Sequence, residues 1–241
     1  MRRSVAEIRA SSETRMDIAR FAGQTEPRAP IRAVGGFVKK LVLCFDRLGG
    51  HPAQRGATNL QRLLHLLVEG DEQLCWHHSG SSAPHGLHRR AAAAGEARAA
   101  IAQGYRFLVE HWEPGDRIFM FGAGRAAYCA QTLTRLLGTV GVLPDLMDYV
   151  LDAYAAPRTE RTPQDWQRVA GIAAGLSERH EVAVPVWFLG VWDTLKIPGF
   201  TRRTTPAPLH NVRLGRHAVA IDGLPGERLV GSASQRIEEV W

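Results

Sequence analysis

Gly122-Ala123-Gly124-Arg125-Ala126 follows the apolar run Ile118-Phe119-Met120-Phe121, the local pattern of a strand that turns sharply into a helix. In acyl-transfer enzymes such a turn reads Gly-x-Ser-x-Gly: the serine sits on strained backbone at the carboxyl end of a strand and attacks an acyl carbon. Here Gly124 holds the place of the serine and Ala126 replaces the last glycine. Glycine tolerates the strained conformation best, so the turn is expected to persist without its hydroxyl. Two plainer readings stand beside this one: a tight strand-to-helix turn, or a weak dinucleotide-type glycine loop. The dinucleotide reading is disfavoured because the third glycine is missing and no acidic residue ends a nearby second strand.

Two aspartates end apolar runs. Asp193 follows Phe188-Leu189-Gly190-Val191-Trp192, and Asp46 follows Leu41-Val42-Leu43-Cys44-Phe45. A carboxylate so placed can orient a histidine in a catalytic triad, or simply cap the next turn or helix. Asp193 is the first candidate for such an acid and Asp46 the second. Cys129 lies five residues past Gly124, about 7.5 Å further along a helix and on another face, so it cannot replace the missing nucleophile. His217 reads as a structural histidine on a packed helix rather than a substitute base.

Ten histidines invite a metal reading, above all His77, His78, His85 and His88. That group has no carboxylate companion and lies in a Ser/Gly/Pro-rich segment, which favours a surface loop. The three cysteines, Cys44, Cys75 and Cys129, are odd in number and widely spaced, with no zinc-like pair. A reducing compartment follows, with no metal and no cofactor expected.

These residues need elements to hold them. The run from Leu41 to Asp46 reads as a buried parallel strand. Thr58-Asn59 caps a helix over Leu60, Leu63, Leu64, Leu66 and Leu67, and Gln73 to Trp76 forms a short strand. A loop from His77 to Arg90 leads to a long helix from Ala91 to Trp112, broken by Glu113-Pro114-Gly115-Asp116. Next come the strand Arg117 to Phe121, the glycine turn, and a helix from Arg125 to Leu137. Helical segments around Leu146 to Tyr154 and Thr162 to Arg179 lead to a strand from Val182 to Trp192, with Pro185 near its start. A short apolar segment spans His217 to Ile221. Strands alternating with helices predict a mostly parallel sheet covered on both faces.

The chain has 241 residues, 45% of them hydrophobic, enough for one substantial α/β domain after a basic extension over residues 1–38. The net charge is +6, and much of the excess lies between Arg2 and Lys40. Those arginines are scattered and lack interleaved aromatics, which disfavours nucleic-acid binding as their role. No apolar run long enough for a signal peptide follows the basic start, and no transmembrane segment is expected. Cytoplasmic residence is the default.

The block from Tyr105 to Gly122, with Ala127-Tyr128, closely resembles the α/β-hydrolase domain of type VI secretion lipase effectors and their bacterial and fungal relatives. Phe188 to Thr194 and His217 to Asp222 are similar to two further motifs of that family, and Cys44-Phe45-Asp46 with Thr58-Asn59 to its opening motif. The resemblance covers roughly residues 39 to 241. It implies a three-layer α/β-hydrolase-like domain and a serine hydrolase of lipid esters, phospholipids among them, with signal-less secretion open to it.

This sequence departs from the family where chemistry is done. The family's Gly-Phe-Ser-Arg-Gly-Ala is here Gly122-Ala123-Gly124-Arg125-Ala126-Ala127, and its Asp-Gly-Thr is Asp46-Arg47-Leu48. The family's histidine-bearing loop follows a segment like Ile237 to Trp241, where this chain stops, so the domain is expected to be carboxyl-terminally incomplete. The expectation is a degenerate, non-catalytic relative. Asp193 is the relic acid, Gly124 the vacated nucleophile position, and the amides of Arg125 and Ala126 a relic oxyanion hole. Two alternatives remain: an active hydrolase with unorthodox residues, and a module binding an acyl or anionic ligand in the vacated pocket. A protein partner covering an exposed sheet edge is a further expectation.

Overall fold

The computed structural model describes residues 37–48, 58–80, 89–144, 162–177, 182–195, 197, 208–221 and 236–240. The expected helix at Leu146 to Tyr154, residues 1–36, and His85 and His88 lie outside them. In chain order the elements are β1 (Lys40–Phe45), α1 (Asn59–Leu66), β2 (Gln73–His78), α2 (Arg89–His111), β3 (Arg117–Ala123) and α3 (Arg125–Val140), followed by α4 (Pro163–Ser177), β4 (Val186–Trp192), β5 (Val212–Ala218) and β6 (Arg236–Val240).

All six strands pair in parallel, in the order β2-β1-β3-β4-β5-β6. The protein is an α/β structure on a parallel sheet. Parallel sheets are buried on both faces, which is why β1 and β3 read as unbroken apolar runs. Alternation splits those runs. Leu41, Leu43, Phe45, Ile118, Met120, Leu189 and Val191 pack with Ile101, Tyr105, Ala130 and Leu133 of α2 and α3. Val42, Cys44, Phe119, Phe121 and Phe188 pack with Leu60 of α1 on the other face.

From β1 the chain steps to β2 on one side, then crosses back over β1 to β3 and continues outward through β6. The direction of winding therefore reverses between β1 and β3. At such a reversal the connections leave opposite faces of the sheet and open a crevice at the carboxyl ends of the two strands, the usual position of a site in an open α/β sheet.

Short polar contacts fix the framework. Thr58 Oγ1 accepts from Gln61 N and Gln61 Oε1 accepts from Thr58 N, both at 3.0 Å, a capping box that starts α1. Tyr105, fully buried on α2, donates to Gly141 O at 3.2 Å and accepts from Leu143 N at 2.9 Å, tying α2 to the end of α3. At the amino-terminal edge, Asp116 Oδ1 accepts from Lys39 N and Oδ2 from Glu113 N, each at 2.9 Å.

Four readings from sequence need correction. His217 lies on strand β5, not on a helix, and the segment placed at His217 to Ile221 is the end of that strand and the turn after it. β2 continues through His77 and His78, which the sequence reads as the start of a loop. β4 begins at Val186, leaving Pro185 outside the ladder it cannot join. β6 was not anticipated at all. It ends the described sheet, and Arg236, Glu238 and Glu239 give that strand the charged character that discourages further pairing.

Candidate functional site

At the carboxyl end of β3 the backbone turns at Gly124, with φ 56° and ψ −123°, and α3 begins at the next residue. That conformation is open to glycine and strained for other residues. A Cβ at Gly124 would meet no atom within 4 Å, so the constraint is backbone strain and not space. Gly122 is limited in the opposite way. A Cβ there would lie 2.5 Å from Ala127 Cα, so the first glycine of the turn is what lets α3 fold back against β3.

Main-chain bonds hold the turn. Gly124 N donates to Trp192 O at 2.8 Å, and Leu195 N donates to Gly124 O at 3.0 Å. The pattern continues outward: Asp193 N donates to Ala218 O at 2.9 Å, and Val219 N to Val240 O at 2.9 Å. The carboxyl ends of β3, β4, β5 and β6 are thus joined residue by residue.

Asp193 stands in the turn clamped to Gly124. Its φ of 45° is the one positive value among the described non-glycine residues, a strained backbone of the kind that gathers at functional sites. Its side chain is exposed and Oδ1 accepts from Ala220 N at 2.6 Å. The structure brings Asp193 beside the turn at Gly124, and its contact with Ala220 N is the turn-capping role.

Asp46 ends β1 across the crevice. Its Oδ1 accepts from Thr58 Oγ1 at 2.7 Å, joining β1 to the cap of α1. Its buried Oδ2 makes no hydrogen bond and lies 4.0 Å from His77 Nε2. Burial lowers the pKa of His77 against the opposing pull of Asp46, which leaves the ring neutral at pH 7. His77 pairs with Cys44, and Cys44 with Phe121, three residues before Gly124 and two strands away. Two strand spacings are about 10 Å, too far for His77 to act as a base at the turn of Gly124.

Cys129 is fully buried, donates to Ala97 O at 3.8 Å, and burial pushes its thiol far above its ordinary range. It is an inert core thiol. Arg125 and Ala126 open α3, where first-turn amides have no acceptor within the helix. Among the described residues no group of three or more His, Cys, Asp or Glu could hold a metal, and no helix is long and apolar enough to cross a membrane.

Sequence reasoning missed Thr194 and Gln131. Both are fully buried, and Gln131 Nε2 donates to Thr194 Oγ1 at 3.2 Å. Thr194 N in turn donates to Nε2 of His217, which is 2% exposed. The available signal was Gln131 itself, a polar side chain four residues from Ala127 on the stripe of α3 that faces the core.

A family model described as the T6SS phospholipase effector Tle1-like catalytic domain matches residues 39–226. The uncharacterized protein YEL023C of Saccharomyces cerevisiae is 27% identical over 216 residues, covering 78% of this chain and 32% of the yeast protein. A solved structure of the Tle1 effector bound to the VgrG spike of the type 6 secretion system aligns at 15% identity and a TM-score of 0.35, over 82% of this chain and 50% of that one. The chain thus spans about a third of the yeast relative and half of the Tle1 chain.

Proposed function

The chain belongs to the Tle1-like phospholipase effector catalytic domain family, and from that premise we propose that it is a degenerate, non-catalytic member. The observation that carries this reading is Gly124. The residue holds the strained strand-to-helix turn, with open space where a side chain would project, and has no hydroxyl to attack an ester.

The surroundings support the same reading. Cys129 is sealed in the core with a protonated thiol. His217 Nε2 is engaged by Thr194 N, so that nitrogen is not available to draw a proton from a nucleophile. In this reading Asp193 is a relic acid, the Arg125 and Ala126 amides are a relic oxyanion hole, and Asp46 has become a framework residue. Loss of a serine nucleophile lowers turnover by about a millionfold, leaving a residual of about a thousandfold over water from oxyanion stabilisation and binding.

A second reading keeps the pocket as a binding site for a lipid ester or acyl anion. It is favoured by the unoccupied space at the Gly124 Cβ position beside the opening amides of α3. One experiment separates these readings from a living hydrolase. The full chain is incubated with a fluorophosphonate serine probe and, separately, with phospholipid and short-chain ester substrates. No labelling and no hydrolysis above a boiled control is the expected result. Saturable hydrolysis by the native chain would overturn the proposal, and phospholipid-dependent thermal stabilisation without hydrolysis would select the binding reading.

A further inference from the structure

The polar groups of Thr194 point two ways inside the core. Oγ1 accepts from Gln131 Nε2 on α3 at 3.2 Å, and N–H donates to His217 Nε2 on β5 at 3.3 Å. A ring nitrogen accepts a hydrogen bond only while it carries no proton, so the single proton of neutral His217 lies on Nδ1. Nδ1 faces Glu239 Oε1 on β6, 3.9 Å away.

Residues on either side of Thr194 hold the turn at Gly124. Trp192 accepts from Gly124 N, and Leu195 donates to Gly124 O. We propose that the bond from Thr194 N–H to His217 is a proton-operated latch on the turn 192–195, closed while His217 is neutral and released when the ring takes a second proton. The added proton makes Nε2 a donor aimed at another donor, and the contact becomes repulsive.

The charged and polar groups around this contact come from three elements. From β6 the carboxylate of Glu239 faces the ring, its Oε1 3.9 Å from Nδ1. From α3, among the described residues, the polar side chain at the latch is Gln131, which carries no charge. In the turn, the carboxylate of Asp193 is directed to Ala220 N instead. This inference concerns main-chain geometry around Gly124 and stands whether or not the site is catalytic.

Hydrogen exchange read by NMR on the full chain tests it, with rates corrected for intrinsic pH dependence. Between about pH 8 and about pH 5, where histidine titrates, the Leu195 and Gly124 amides are expected to lose protection by about tenfold or more, while Met120 in β3 stays protected. His217→Gln presents an amide oxygen that does not titrate, and its protection stays level across the range. A level response in the native chain, or an equal loss in His217→Gln, overturns the latch. Should the variant fail to fold, nitrogen shifts of His217 in the native chain decide. A bare Nε2 that gains its proton as the two amides open supports the latch; a proton on Nε2 at about pH 8, or titration without opening, overturns it.

Discussion

Gly124 and Trp192 are joined through the backbone: the amide of the one donates to the carbonyl of the other at 2.8 Å. The sharp turn at the head of β3 is therefore fixed by the neighbouring strand and not by a side chain at position 124. This is why the turn keeps its shape with glycine in it.

The two glycines of the turn are predicted to respond oppositely to a methyl group. Gly124→Ala and Gly124→Ser meet open space and carry only the strain of positive φ, a cost of about 1 kcal/mol. Gly122→Ala drives a Cβ to 2.5 Å from Ala127 Cα and is expected to cost about 3 kcal/mol or more, because backbone must move. Urea unfolding midpoints at constant m compare the three variants, and equal shifts would refute the turn geometry.

Thr58 has two roles, capping α1 and donating to Asp46. Thr58→Ala is expected to cost about 2 kcal/mol, with Thr58→Ser restoring most of it. Chemical denaturation of the two variants provides the check, and a neutral Thr58→Ala would mean that neither bond matters in solution.

Removing one oxygen from Tyr105 leaves the Leu143 amide and the Gly141 carbonyl without their partner. Tyr105→Phe is expected to lose about 1 to 3 kcal/mol with its packing intact. Burial pushes the Tyr105 phenol up to about 12. Its absorbance should therefore titrate later than that of free tyrosine in native protein and return to the ordinary range in urea.

His77 and His78 both have pKa values lowered chiefly by burial, opposed by Asp46 for the first and by Glu96 and Gln103 for the second. The unfolded chain therefore binds protons more readily at these two positions. Their contribution to stability is present above their ordinary value of 6.5 and is lost as pH falls from there through the folded values. Denaturation midpoints measured from about pH 8 to about pH 5 should decline, and His77→Gln should shallow the decline.

The sequence makes β1, β3 and β4 legible because strands buried on both faces leave little choice but continuous apolar residues, as in Leu41 to Phe45. β5 and β6 break that rule. Arg213 enters β5 by lying over the Trp187 ring at 4.2 Å, and Arg216 pairs with Glu238 of β6 at 3.3 Å. Such charges look like loop until the neighbouring strand is in place. The strand-to-helix turn at Gly124 could be read from glycine spacing, which is local. The link from Gln131 through Thr194 to His217 joins residues up to 86 positions apart, read from their numbers, and nothing local announces it.

The row of main-chain bonds from Gly124 through Asp193 to Val219 has an evolutionary consequence. When a scaffold is tied together by atoms common to every amino acid, its outline is inherited separately from its reactivity. Position 124 can then gain or lose a side chain at no more than the strain of its own backbone, while the strand ends around it stay joined.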